Sequence, residues 1–427
     1  MTKLERVELL SSKRDFLYLF TLFLLLFTLS LSYQYYNYRQ LTKFDSALLR
    51  ATVIKQYKKT KTDTKDKTKS YQVLKLKTEN DLSFYTVASK RAPDYRNKQL
   101  LIEIQTANIN FLSYLKGFFT FSKIIEAHRD RRLKTKISHA LISQHKEKAI
   151  NAIYQALFLA KPLPYSLQQH FSNLGITHLL AISGFHLGVL STMLFFLFRY
   201  PYRFLQNRYF PYRSAKRDLF FLVAATLFAY TLFLEYPPSL LRAFAMLIIG
   251  FVLYDRGIKI ISMQTLFIST LLILALFPKL IFSIGFFLSI SGVFYIFLFL
   301  LYFKSRHRVW QFFLLPFWVY LMMLPYALVI FGNFSLYHPL SILFSSLFSL
   351  FYPLSILLHL IGMGNLLDPV IHFLLDIKVH PVVIELNNYY LYISILLSLM
   401  AVLKKEALYL LLLYSFSIFI YAMYHVA

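Results

Sequence analysis

The 427-residue chain contains no cysteine, and its 46 Lys and Arg residues far outnumber its 20 Asp and Glu residues. The lack of cysteine excludes disulfide bonds, thiolate catalysis and cysteine-ligated zinc or iron–sulfur centres. The sequence also lacks a His-x-His-x-Asp-His motif and a Gly-x-x-x-x-Gly-Lys-Ser/Thr phosphate loop. It therefore predicts neither a metallo-β-lactamase-type centre nor an ATPase motor. We expect no catalytic residue, no metal and no cofactor.

The main feature of the sequence is a series of long hydrophobic blocks. The chain is 57% hydrophobic and 18% aromatic, and about nine or ten blocks reach the length that crosses a bilayer as a helix. They lie at 16–33, 178–198, 219–234, 239–254, 260–277, 280–303, 309–331, 336–363, 389–403 and 407–424. A soluble core does not account for so many blocks of this length. The sequence therefore predicts a polytopic α-helical membrane protein.

Two of these blocks leave alternatives open. The first could be a cleaved signal peptide, but it is long and aromatic and no Ala-x-Ala-like site follows it, which favours an uncleaved anchor. The block at 336–363 is interrupted by Pro339, Pro353 and His359. It either crosses once or, as we favour, forms a re-entrant pair of half-helices, because irregular backbone at membrane depth is tolerated where it lines a cavity.

A polar region after the first block has the pattern of a small β domain. Short alternating runs occur at 51–59, 71–77, 82–88 and 100–106, with a turn at 79–81. Several short strands separated by turns favour a small barrel, and an OB-like barrel fits the size. The predicted divisions are a membrane anchor at 1–33, an OB-like β domain at 50–120, amphipathic helices at 121–170, a membrane core at 171–380 and C-terminal membrane helices at 381–427.

Positive charge is concentrated in the polar region. From Arg50 to Lys148 there are 23 Lys and Arg residues against 9 Asp and Glu residues. Such a cluster attracts polyanions, and the charge alone does not choose between nucleic acid and anionic lipid. The basic N-terminus predicts a cytoplasmic start for the chain. The β domain after the anchor would then lie outside the cytoplasm.

The block at 178–198 carries polar and small residues: His178, Ser183, Gly184 and His186. Polar groups are costly in hydrocarbon, so we expect them to face a pore, a substrate or another helix. On one continuous helix Ser183 and His186 would share a face. Plain helix packing is the alternative. A serine hydrolase is a weaker one, because Ala181 replaces the first glycine of the Gly-x-Ser-Gly motif that a rhomboid-like protease would need.

Two further polar residues lie at the ends of hydrophobic blocks. Arg242 follows Pro237 and Pro238 at the start of a block. It would snorkel to the membrane surface, contact a phosphate, or pair with Glu235. Asn333 lies in a turn before the interrupted block, where it could face the mouth of a cavity.

Four segments of this sequence resemble the ComEC family of competence proteins. They are Gly175-Ile-Thr-His-Leu-Leu-Ala-Ile-Ser-Gly-Phe-His-Leu-Gly188, 238–246, 283–292 and 324–343, and the first is the most specific. The third departs from the family pattern, with Phe287 where a glutamine is usual. Many family members carry a C-terminal metallo-β-lactamase-like domain. This chain stops after its last hydrophobic block, so we expect a short form without that domain.

The resemblance implies a channel that carries single-stranded DNA across the bacterial inner membrane during natural transformation. It implies as partners the bilayer, single-stranded DNA, a periplasmic DNA receptor, and a cytoplasmic motor or single-strand-binding protein. Residues expected along the path are His178, Ser183, Gly184, His186, Arg242 and Asn333. Residues expected to contact DNA in the β domain are Tyr71, Lys75, Lys77 and Tyr85.

Two other classes of protein remain open at this point. A transporter for a small anionic solute or lipid would share the hydrophobic blocks and Arg242, but it would favour inverted repeats, which the sequence does not display. A scaffold for envelope assembly would account for the basic β domain but not for the polar block at 178–188.

Overall fold

The computed structural model describes residues 13–62, 68–78, 82–95, 98–128, 133–234, 237–256, 262–304 and 307–426. The helices are α1 (Lys13–Leu41), α2 (Phe111–Lys116), α3 (Leu133–Ile142), α4 (Lys148–Leu159), α5 (Tyr165–Asn173), α6 (Thr177–Leu180), α7 (Gly184–Tyr209), α8 (Ala215–Phe233), α9 (Pro238–Asp255), α10 (Met263–Leu276), α11 (Ile284–Phe303), α12 (Arg308–Phe331), α13 (Ser341–Leu360), α14 (Asp368–Asp376), α15 (Asn388–Leu403) and α16 (Lys405–Tyr424). The strands are β1 (Ser46–Thr62), β2 (Thr68–Thr78), β3 (Ser83–Ala88), β4 (Gln99–Gln105), β5 (Phe118–Phe119), β6 (Ser122–His128), β7 (Asn333–Phe334) and β8 (Val382–Val383). The turn predicted at 79–81 lies outside the described residues.

Five helices in these ranges are long and apolar enough to cross a membrane: Lys13–Leu41, Ile284–Phe303, Val309–Phe331, His338–Leu360 and Lys405–Tyr424. Met263–Leu276 and Asn388–Leu403 are apolar but shorter. The prediction of a helical membrane protein with a small β region is confirmed in this coarse form. The full-length spans in the described chain are fewer than the predicted blocks. One reason is that α8 opens with Lys216, Arg217 and Asp218, which interrupt its apolar sequence.

The block at 336–363 is not the pair of half-helices that we favoured. A 3-10 turn at His338–Leu340 continues directly into α13, and the two together form one candidate span of 23 residues. Pro339 lies ahead of the first turn of α13, where its missing N–H costs no helical hydrogen bond. Pro353 removes one interior hydrogen bond, but the helix continues through it to Leu360. The re-entrant prediction is therefore wrong.

The β region forms one six-stranded sheet with the order β5-β3-β2-β1-β4-β6. The long strand β1 pairs with both β2 and β4. The two outer strands, β5 and β6, are nearly consecutive in the chain. Between them the Thr120 N–H donates to Tyr85 O (2.9 Å) and the Gln105 N–H donates to Phe121 O (3.1 Å). Residues 118–122 thus join the two edges, and the sheet closes around an apolar core.

The strand β6 corrects the predicted helical region at 121–170. Residues 122–128 pair antiparallel with β4, and Ile124 lies opposite Ile102 and packs against the buried core. Without β6 the edge of β4 would present unpaired backbone groups. Residues 122–128 therefore form a strand and not the predicted helix. Helices α3, α4 and α5 occupy the rest of the predicted range.

The first helix runs eight residues past the predicted end of the anchor at 33, reaching Leu41. Near its end the Tyr38 hydroxyl donates to Ile109 O (2.9 Å). The Tyr38 ring also contacts Phe111 and Tyr114, with centroid separations of 5.5 and 5.7 Å. Because Ile109 and Tyr114 belong to the core of the sheet, these contacts attach α1 directly to the β region.

Candidate functional site

A break in the most polar hydrophobic block creates the candidate site in the helical region. Helix α6 ends at Leu180, Ser183 has extended backbone angles (φ −133°, ψ 179°), and α7 begins at Gly184. The sequence analysis expected one continuous helix here, which is wrong. Ser183 and His186 still meet, because Ser183 now precedes the first turn of α7. Its N–H donates to His186 Nδ1 (3.2 Å), and its Oγ lies 3.1 Å from the same nitrogen.

His186 is a buried side chain with one nitrogen unused. Because Nδ1 accepts the Ser183 N–H, a neutral ring carries its proton on Nε2. The side chain is 0% exposed, and Nε2 finds no hydrogen-bond partner within the described chain. Through its Nδ1, His186 caps the Ser183 N–H at the start of α7.

Three helices meet at the break. The His186 ring packs edge-on against Tyr352 of α13 (centroids 4.5 Å apart, 81°) and against Phe348 (5.4 Å). On the other side, the Ser239 hydroxyl of α9 donates to Ile182 O (2.6 Å). A Cβ added to Gly184 would lie 3.4 Å from the Ala243 Cβ, so the absent side chain lets α7 approach α9 closely.

His178 lines the same region from α6. Its Nε2 lies 3.2 Å from the Ser345 hydroxyl of α13. The side chain is exposed, as are Gly184 and Gly188. These residues and the neighbouring His186 are called the polar cluster below. The expectation that this block faces a path or a ligand stays a prediction.

His338 adds a third ring to this neighbourhood. It lies over Gly175, whose φ is +73° and where an added Cβ would be 2.9 Å from the imidazole. The ring stacks on Phe334 with centroids 5.1 Å apart. The Ser335 hydroxyl donates to Asn173 O (2.6 Å), which fastens this turn to the end of α5. The conformation of Gly175 and the contact of His338 thus depend on each other.

Asn333, in contrast, belongs to a two-stranded ladder. It pairs with Val383, directly after Gly332, which ends α12 at φ +71°. The described contacts do not bring its side chain to His178 or His186. The residues that sequence reasoning missed are Ser345, Phe348 and Tyr352. Their signal is weak, since serine and aromatic residues are common in apolar helices.

Arg242 is buried between α9 and α11. It is 9% exposed, its Nη2 donates to Gly285 O (3.3 Å), and its guanidinium lies 5.8 Å from the Phe286 ring centre. This burial rules out the snorkelling interpretation. Its Nε has no partner among the described residues, and the predicted partner Glu235 lies outside them. A buried guanidinium with unused donor capacity suits an anion.

The β region carries a second feature, a groove of aromatic and basic side chains. Residues paired across neighbouring strands share a face, and here Tyr71 pairs with Lys59, Lys75 with Tyr85, and Lys77 with Ser83. All four predicted contact residues therefore lie on one face of the sheet, opposite the core. A cavity of about 890 Å³ lies against this face, lined among others by Tyr57, Lys59, Tyr71, Tyr85, Phe119 and Phe121.

Local contacts organise the groove. The Lys75 ammonium lies 5.3 Å from the Tyr85 ring centre, within the range of a cation–π interaction. Burial raises the pKa of the Tyr57 phenol, and the neighbouring phenols of Tyr85 and Tyr71 raise it further. The three tyrosines are therefore neighbours. Sequence reasoning identified two of them and missed Tyr57, although Tyr57 has the same alternation as Lys55 and Lys59.

The fold and these sites define the class of protein first: a multi-pass membrane protein with a polar cluster among its helices and a closed, basic β region before them. Comparison with protein families then gives the particular family. The sequence model described as Competence protein matches residues 160–427, and the chain belongs to this family. Comparisons with curated proteins and with solved structures gave no significant match. The match covers the helical region and leaves the β region outside it.

Proposed function

We propose that this protein is a channel that carries single-stranded DNA across the inner membrane during natural transformation. Family membership supports a role in DNA uptake during competence. The observation that carries the finer proposal is the aromatic and basic groove of the β region. In this proposal the protein performs no chemistry and binds no cofactor. A periplasmic receptor delivers DNA, and a cytoplasmic motor or single-strand-binding protein takes it up.

The β region suits a strand of DNA in its topology and in its chemistry. A long β1 shared between β2 and β4, a short parallel pairing of β3 with β5, and a sheet closed on itself resemble an OB fold. Proteins that bind single strands without sequence preference combine aromatic stacking platforms with a basic groove. Tyr57, Tyr71 and Tyr85 supply platforms for bases, while Lys59 and Lys75 supply charges for phosphates. An extracytoplasmic position would let this groove receive incoming DNA.

The helical region supports the same proposal through its polar cluster. His178 and Arg242 offer hydrogen-bond donors, and Gly184 and Gly188 add no bulk beside His178. None of these is acidic, so nothing among them repels phosphate. A transporter for a small anionic solute or lipid is the alternative, and Arg242 alone would fit it as well. The DNA proposal is favoured because a small solute gives no reason for a groove lined by three tyrosines.

The direct test follows fluorescent double-stranded DNA in a naturally competent host that lacks this protein. A channel predicts DNA arrested outside the cytoplasm, no transformants, and no rescue by a His186→Ala, Arg242→Ala double variant. Labelled DNA that still reaches the cytoplasm would contradict the channel and favour the transporter. DNA that never enters the periplasm would instead assign the protein an earlier role as receptor or scaffold.

A binding test isolates the groove. The purified full-length protein in detergent is titrated with a labelled oligothymidylate, comparing Lys75→Ala with Lys98→Ala. Both lysines lie over a tyrosine ring, Lys75 at 5.3 Å from the centre of Tyr85 and Lys98 at 5.8 Å from that of Tyr95. Neither lysine lines the cavity itself, but Tyr85 lines it and Tyr95 does not. We expect Lys75→Ala to weaken binding several-fold and Lys98→Ala to leave it nearly unchanged. Equal effects would remove the groove from the proposal.

A further inference from the structure

A continuous chain of hydrogen bonds joins three distant segments beside the helical core. His145, between α3 and α4, places its Nδ1 2.8 Å from Asp368 Oδ1 at the start of α14. Its Nε2 lies 2.9 Å from the Nε2 of His359, near the end of α13. The His359 Nδ1 lies 2.6 Å from Ser355 O. His145 and His359 are 6% and 9% exposed, so bulk water does not complete these contacts.

Counting protons along this chain gives a definite result. A carbonyl oxygen only accepts, so His359 Nδ1 must carry a hydrogen. With a carboxylate at Asp368, His145 Nδ1 must carry one as well. If both histidines were neutral, their two Nε2 lone pairs would face each other at 2.9 Å. The three groups therefore need one more proton. It lies either between the two Nε2 atoms or on Asp368, in which case His145 carries its own hydrogen on Nε2.

We propose that Asp368, His145 and His359 form a binding site for one proton that holds the end of α13 against α4 and α14. With the proton bound, the three groups are neutral as a set, which suits their burial. Without it, the two imidazoles repel and the contact opens. Helix α13 also carries Tyr352 and Ser345, which contact His186 and His178. The proton thus stabilises the helix that packs against the polar cluster, and the site stands whether or not the protein conducts DNA.

The surroundings fix this arrangement. The Gln144 side chain accepts from the Gly364 N–H (2.9 Å) and donates to His359 O (3.2 Å). A Cβ on Gly364 would lie 2.6 Å from His359 Nε2, so only glycine fits there. The Tyr154 ring stacks on His145 with centroids 4.4 Å apart. Burial raises the pKa of the Tyr154 phenol, as does the charge of Asp368, so Tyr154 stays neutral.

One other titratable pair lies on the same elements. Glu147 and His372 form an ion pair of 3.0 Å with both side chains partly exposed. It lies one turn from the proton site on α14 and two residues from His145 in sequence. Every variant used below retains this pair, so it contributes equally to all of them.

The sign of the pH dependence follows from the proton count. In an unfolded chain Asp ionises near pH 3.9 and His loses its proton near pH 6.5, at roughly their reference pKa values. Above about pH 7 the unfolded chain therefore holds one proton fewer in these groups than the folded protein. Unfolding then releases a proton, and the stability from this site is lost as pH rises.

Thermal unfolding of the purified full-length protein in detergent, from pH 7 to pH 9, tests the site. We expect the midpoint of the wild type to fall more steeply than that of His359→Gln, by roughly 2 °C per pH unit. The Gln amide can donate to His145 Nε2 without an extra proton. His170→Gln is the matched control, since His170 Nε2 contacts only a backbone oxygen, Leu374 O at 2.9 Å, and it should keep the wild-type slope.

A further result decides the matter even if His359→Gln fails to fold. Histidine ¹⁵N spectra of the wild type at pH 8 should contain one proton hydrogen-bonded between the Nε2 atoms of two imidazoles, and spectra without such a pair would overturn the proposal. Where His359→Gln folds, zinc that raises the midpoint of the wild type but not of this variant would also overturn it, because a metal ion would then occupy the site. Equal pH slopes in the wild type and this variant would overturn it as well.

Discussion

At the scale of single residues, Gly175 and His338 pack closely beside the polar cluster. Gly175 has φ +73°, and an added Cβ would lie 2.9 Å from the His338 ring. Gly362 has a similar φ of +79° but nothing within 4 Å of an added Cβ. Alanine variants at the two glycines therefore distinguish the free-energy cost of the backbone conformation from the cost of the contact with His338.

We expect Gly175→Ala to lower the free energy of unfolding by about 2 to 3 kcal/mol and Gly362→Ala by about 1 kcal/mol. Both alanines carry the strain of a positive φ, but only the first meets the His338 ring. Chemical or thermal unfolding in detergent measures the difference. A difference near zero would mean that His338 moves aside without cost, which would contradict the close contact.

Replacing Arg242 should affect the stability of the protein and DNA uptake differently. Its guanidinium is buried with an unpaired Nε, and burying a charge without a partner costs stability. Arg242→Met should therefore leave the unfolding midpoint unchanged or raise it, while DNA uptake falls by at least tenfold. Arg242→Lys keeps the charge and should retain part of the uptake. A large loss of stability in Arg242→Met would indicate a structural role.

At the scale of elements, the β strands position the groove by simple alternation. Tyr71 and Lys75 stand an even number of residues apart on β2, and Tyr85 pairs with Lys75 across β3. A one-residue slip would send all of them into the core. The buried positions Leu74, Leu76 and Phe84 fix the register against such a slip.

We expect Tyr57→Ala to weaken binding of single-stranded DNA by about tenfold, because stacking on an aromatic platform contributes about 1 to 3 kcal/mol per base. Binding of double-stranded DNA, whose bases are already stacked, should change little. Tyr57→Phe keeps the ring and serves as the matched control. A Phe variant as weak as the Ala variant would show that the hydroxyl, not stacking, matters.

Alternation explains why the sequence predicted this part of the fold well. The face shared by Tyr71, Lys75, Lys77 and Tyr85 follows from spacing along strands. The break at Ala181–Ser183 does not follow from spacing, because these residues are compatible with a helix. The break depends on the hydrogen bond from Ser239 of α9 and on capping by His186. The His145–Asp368 contact joins residues 223 positions apart, and no local pattern encodes it.

At the scale of the whole molecule, the charge of +26 makes any DNA affinity dependent on salt. For single strands each phosphate contact lowers the logarithm of the binding constant by about 0.7 per tenfold increase in salt. A Lys59→Ala, Lys75→Ala double variant should therefore reduce this slope by about 1.4. Lys90→Ala with Lys98→Ala, outside the groove lining, should leave the slope close to that of the wild type. Equal slopes for both variants would indicate diffuse attraction without a groove.

The length of α1 has a consequence for how the two regions work together. Its 29 residues extend over about 43 Å at 1.5 Å per residue, whereas the hydrocarbon layer is about 30 Å thick. The helix therefore exceeds the hydrocarbon thickness by roughly a dozen ångströms. Tyr38 lies near the end that joins the sheet. In the proposed channel the helix would act as a stalk that holds the β region away from the lipid, so a strand would meet the groove before it meets the membrane.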